Sequence, residues 1–134
     1  MARVAIFDGP QVKTFQYDAD TDVDLEFLRK EDAQELSKEV EKIVARTGSD
    51  WNKVWNARLG RRVVKGWRHR FDQDHPGFVF PDDTPIPFTE ENLDMMMARN
   101  REFSIFVGEN TISAKEFLAE KVKKGEVKIK AKNG

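Results

Sequence analysis

The hydrophobic period of this chain changes near residue 30, and that change constrains the fold more than any other feature. From Asp22 to Leu28, acidic residues alternate with Val23, Leu25 and Phe27, the period of two that a half-buried strand requires. From Lys30 to Arg46, Ala33, Leu36, Val40, Ile43 and Val44 fall three and four apart, which places them on one face of a helix. Gln11 to Tyr17 is a second β-forming stretch, and the polar residues 18–21 read as the turn between the two. A lone hairpin is marginal in water, so its apolar face must rest on the helices that follow. The expected architecture is α+β: a predominantly helical single domain, with an N-terminal β-hairpin over residues 11–28 packed on about four helices.

Local punctuation divides the helical part, residues 30–124. Thr47-Gly48 ends the first helix, glycine being suited to a left-handed cap. Ser49 or Asp50 caps a second helix expected to reach about Arg68, with Trp51, Val54, Trp55, Leu59, Val63 and Trp67 on related faces. Gly60 and Gly66 weaken that helix or mark close packing. Residues 69–88 hold four of the five prolines and read as an irregular loop. Thr89 is a good N-cap for a helix carrying Leu93, Met96 and Met97, with a break near Asn100. Ser113-Ala114-Lys115-Glu116 is a capping box opening a last helix with Phe117. Residues 1–125 are thus read as one globular domain, and 126–134 as a basic tail expected to be disordered.

The 134-residue chain contains no cysteine, which excludes disulfides, thiolate catalysis and Cys-based metal sites. No apolar run is long enough to span a membrane, and Met1 to Asp8 does not read as a signal peptide. A soluble, cytoplasmic protein is expected. Phosphate-binding, dinucleotide-binding, nucleophile-elbow and zinc-protease motifs are absent. His69, Asp72, Asp74 and His75 cluster, but their spacing fits no metal loop, and polar loop residues are the simpler reading. Asp82/Asp83 and Glu90/Glu91 complement a helix N-terminus more simply than they do acid–base work. No catalytic residue, metal or cofactor is expected, and the chain is not read as an enzyme.

Charge is strongly segregated. Ten acids face three bases from Asp18 to Glu41, eight bases face one acid from Arg46 to Arg70, and seven acids face no Lys or Arg from Asp72 to Asp94. Such blocks are solvated helix faces, internally matched charges, or a surface offering both signs to partners. Arg58, Arg61, Arg62, Lys65, Arg68 and Arg70, with Trp67 stacking on bases, are the one set suited to nucleic acid. At helical spacing Trp51, Trp55 and Trp67 fit core anchors better, so nucleic acid is not the favoured partner. Met95-Met96-Met97 has another flavour: consecutive helix positions point about 100° apart, which leaves one flexible, polarizable side chain for partners.

From residue 22 to the end, the order of several phrases resembles the small tail assembly chaperones of long-tailed phages and prophages. The phrases are Val64-Lys65-Gly66-Trp67, then Asp82-Asp83, then Ile86-Pro87-Phe88-Thr89-Glu90-Glu91-Asn92-Leu93, and finally Lys115-Glu116-Phe117-Leu118-Ala119-Glu120. The stretch from His69 to Phe80 departs from the pattern, being longer and more aromatic. The resemblance implies a non-catalytic protein that binds the tape-measure protein and keeps it soluble while tail-tube subunits polymerise around it. From the residue pattern, Phe88, Leu93, Met96, Met97, Phe103, Phe106 and Phe117 are expected to border an apolar docking groove. A nucleic-acid-binding regulator and a structural virion or head–tail connector protein are the alternatives, and homo-oligomerisation is left open.

Overall fold

A computed structural model describes residue 4 and residues 6–123, with side chains up to residue 118. Strands β1 (Val12–Gln16) and β2 (Thr21–Glu26) form the expected hairpin, and β2 pairs on its other edge with β3 (Val64–His69). The result is a three-stranded antiparallel sheet in the order β1-β2-β3. The helices are α1 (Lys30–Thr47), α2 (Trp51–Val63), α3 (Glu90–Arg99), α4 (Arg101–Thr111) and α5 (Ala114–Lys123). The fold is α+β. The reading of 126–134 as a tail lies outside the described residues.

The helix ends follow local chemistry. Gly48 adopts φ 70° and its N–H donates to the Val44 carbonyl. The side chains of Asp50 and Thr89 accept the N–H groups of Lys53 and Asn92. Asn100 separates α3 from α4 and caps α4 by accepting from the Phe103 N–H. The three N-cap side chains each satisfy a backbone donor that the helix cannot, and Gly48 does the same for a carbonyl at the other end.

The hairpin is not alone, and the second helix is shorter than expected. It ends at Val63, and the chain passes directly into a strand at Val64, whose φ and ψ are −84° and 117°. The physical reason is a β-bulge. Leu25 pairs with Val64 but Asp24 pairs with Gly66, so Lys65 is the extra residue. Val64 and Trp67 therefore both turn inward and are buried. A bulge has given a strand the three-residue spacing of a helix.

One core joins the sheet to the helices. Val23, Leu25, Phe15 and Trp67 from the strands meet Leu59 and Val63 of α2, Met97 of α3, Phe103 and Val107 of α4, and Phe117 of α5. Phe103 is fully buried, with Trp67 and Phe78 against it edge-on at 5.8 and 5.6 Å. Truncating such a ring typically costs about 3–5 kcal/mol. The sheet's other face carries a ladder of ion pairs between β2 and the β3 side: Glu26–Lys65 at 3.8 Å, Asp24–Arg68 at 2.7 Å and Asp22–Arg70 at 3.3 Å.

Candidate binding cleft

The proline-rich segment after β3 is ordered by its own hydrogen bonds. The N–H of Arg70 donates to the Asp20 carbonyl at 2.7 Å, and that of His69 donates to the His75 carbonyl at 2.8 Å. Gly77, at φ 84°, lies so close to β3 that a Cβ there would stand 2.9 Å from the Arg68 carbonyl. Residues 78–86 then form a short two-sided arm. Ile86 N–H donates to Phe78 O, Phe80 N–H donates to Thr84 O, and Val79 and Pro85 face each other across the bridge. Its tip is a turn through Pro81 with Asp83 left-handed at φ 68°, a conformation Asp tolerates better than most residues. Thr84 hydrogen-bonds the Asp82 carboxyl, from its N–H at 3.1 Å, and holds it below the usual carboxylate range.

The Trp67 indole N–H fastens this arm to the core by donating to the Ile86 carbonyl at 2.8 Å. Between the arm and α3 opens a cleft of about 550 Å³. Phe78, Val79, Phe80 and Pro81 form one wall, Ile86, Met95 and Met96 line the interior, and Arg99 and Asn100 stand at the α3 end. Val79 and Phe80 are 40% and 39% exposed. A larger hollow along α1 is lined by Lys30, Ala33, Gln34, Ser37, Lys38 and Glu41, a charged face of one helix without an aromatic or long aliphatic side chain. The arm cleft is therefore the better candidate for binding.

The seven residues expected to border a groove do not come together on the surface. Leu93, Met96, Met97, Phe103 and Phe117 are core residues, each at most 5% exposed. Phe106 is half-buried and stacks edge-on with Tyr17 at 4.9 Å, and burial raises the Tyr17 hydroxyl above its ordinary pKa. Phe88 remains partly exposed, edge-on to Trp67 at 4.9 Å. Helices α4 and α5 spend their apolar faces on the sheet, and α3 spends its own on α2 and α4. Of the seven, Met96 alone also lines the cleft. Met95 is the member of the methionine triplet left half-buried, and it lines the cleft too.

The basic segment is also rearranged. Arg58, Arg61 and Arg62 lie on α2, whereas Lys65 and Arg68 lie on β3 and Arg70 just beyond it. Each has a carboxylate partner: Glu39 for Arg58, Asp94 and Glu90 for Arg61, Asp32 and Glu35 for Arg62, and the ladder for the rest. Arg61 grips Asp94 through two hydrogen bonds of 2.9 and 2.6 Å, which lowers the Asp94 pKa and raises that of Arg61. Trp67 is 5% exposed and is not placed to stack on a base. His69, Asp72, Asp74 and His75 do not converge on a point. The Nδ1 atoms of His69 and His75 accept from Phe71 and Gly77 N–H, and Asp72 accepts from Asp74 N–H. Among the described residues no group of three His, Asp or Glu side chains is disposed to hold a metal, and no helix is long and apolar enough to cross a membrane.

Comparison with protein-family models, curated proteins and solved structures finds no match for this chain.

Proposed function

We propose that this chain is a non-catalytic binding protein that shields an apolar segment of another protein, acting as a tail assembly chaperone for a tape-measure protein in the bacterial cytoplasm. The observation carrying the reading is the arm cleft, an open hollow with apolar walls whose rim residues Val79 and Phe80 stay exposed in an otherwise highly charged molecule. Apolar side chains that a fold leaves beside a preformed hollow are the usual mark of protein recognition. Internal pairing of the arginines from 58 to 70 favours this reading over a nucleic-acid-binding one, since counterion release needs cations free to meet phosphates.

The test is co-expression of the chain with the tape-measure protein encoded beside it. Wild type is expected to keep that protein soluble and to co-purify with it. The double variant Val79→Ser/Phe80→Ser, which changes two rim side chains outside the buried core, is expected to fold normally by circular dichroism and to lose most of the co-purified partner. Equal recovery by both would overturn the assignment of the cleft. Mass spectrometry of finished particles separates this role from a structural one, because a chaperone is absent from the completed virion.

A further inference from the structure

We propose that the occupant of the cleft is an apolar helix bearing a carboxylate, and that Arg99 receives that carboxylate. The inference rests on the binding-cleft reading above and makes it more specific. Charge complementarity carries it. Arg29 and every arginine from Arg58 to Arg70 have carboxylate partners within the chain. Arg99 has no ion pair among the described residues, yet it lines the cleft. Beside it, the Asn100 Oδ1 is occupied by the Phe103 N–H at 3.0 Å, so the amide NH2 is the part of that side chain left without a partner among the described residues. A guanidinium next to an amide donor, over an apolar floor, matches an anionic acceptor. Asp82 and Asp83 at the tip of the arm do not line the cleft, and Asp82 is already engaged by Thr84.

The arm also selects a helix over a strand. Val79 and Pro85 face each other between the hydrogen bonds of their neighbours, so Val79 turns its N–H and C=O outward. Pro81 follows two residues later. An added strand would find little more than one residue's worth of backbone to pair with. A helix instead brings side chains at i, i+3 and i+4 onto Phe80, Met95 and Ile86, with the next turn at Arg99. Arg99 also lies in the last turn of α3, where a cation offsets the helix dipole. That role alone would make no demand on the charge of a ligand.

A displayed library of 20-residue helical peptides, selected on wild type, on Phe80→Ser and on Arg99→Glu, tests the proposal. Peptides selected on wild type are expected to share three apolar positions at helical spacing and one Asp or Glu at a fixed offset. For a synthetic peptide from that pool, changing the acid to its amide, or Arg99→Gln in the protein, is expected to weaken binding about tenfold, with no further loss when both are combined. The Arg99→Glu pool is expected to replace the acid with Lys or Arg. Peptides that need Phe80 but ignore Arg99 would overturn the carboxylate assignment and leave the cleft standing. Recovery of no peptide, or of peptides indifferent to Phe80, would overturn both.

Discussion

Asp32 lies in the first turn of α1 with its side chain only 7% exposed, and its two oxygens collect four hydrogen bonds. Three come from Arg29, through its backbone N–H at 3.2 Å and its guanidinium at 2.8 and 3.0 Å, and one from Arg62 at 2.8 Å. The Arg29 side-chain hydrogen bond is the main reason the carboxyl is held below its ordinary pKa. A carboxyl depressed in the folded state stabilises fully above its unfolded value of about 3.9, and that contribution fades as pH falls below it. Asp32→Asn is therefore expected to cost about 2 kcal/mol at pH 7 in urea unfolding. The gap to wild type should narrow as pH is lowered from 5 towards 2, and a gap constant with pH would refute the argument. Only the Arg29 half of this arrangement is local, an acid at the third helix position reaching back to the cap residue. One partner, Arg62, lies thirty residues away and reaches Asp32 only because α2 packs on α1.

At the level of elements, Gly60 is where α2 meets α3. A Cβ there would stand 2.5 Å from the Cγ of buried Met97, so the Met97 side chain fills the space that an alanine would need. Gly60→Ala gains helix propensity of about 1 kcal/mol but overpacks the contact by roughly 1–3 kcal/mol, and a net loss is expected. In Gly60→Ala/Met97→Ala the overpacking has nothing to push against. Thermal unfolding should then show the two changes to be non-additive, with the glycine change less harmful once the Met97 side chain is shortened. Additive losses would mean the contact is not tight. Gly60 was legible in the sequence as a place of close packing or weakness, the ends at Gly48 and Thr89 were legible because capping is local chemistry, the cap of α2 was narrowed to Ser49 or Asp50, and Asn100 was read as a break without its capping role. β3 was not. Its bulge sets Val64 and Trp67 three apart, and its partner β2 lies about forty residues upstream, so period alone pointed to a helix. The cleft was hidden for a related reason. Val79 and Phe80 sit among prolines with no period to read, and the arm that carries them is fastened by a contact nineteen residues apart, from Trp67 to Ile86.

Across the whole molecule, the segregated charges of the sequence turn out to be largely matched to one another. The acids of β2 meet the bases of β3, α1 meets α2 through Asp32, Glu35 and Glu39, and α3 meets α2 through Asp94. A duplex would have to break several of these pairs to gain phosphate contacts. Titration with duplex DNA at 150 mM salt is therefore expected to show binding no tighter than about 10⁻⁴ M, the weak end of non-specific association. Micromolar affinity that falls steeply with salt would revive the nucleic-acid reading. The same molecule-wide view gives the linkerless join at Val63 and Val64 a mechanical meaning. With no slack between them, α2 and β3 turn together like the two arms of a crank, and Trp67 rides on the second arm. The seating of α2 in the core therefore also fixes where that indole stands, and with it the Ile86 carbonyl that anchors the arm.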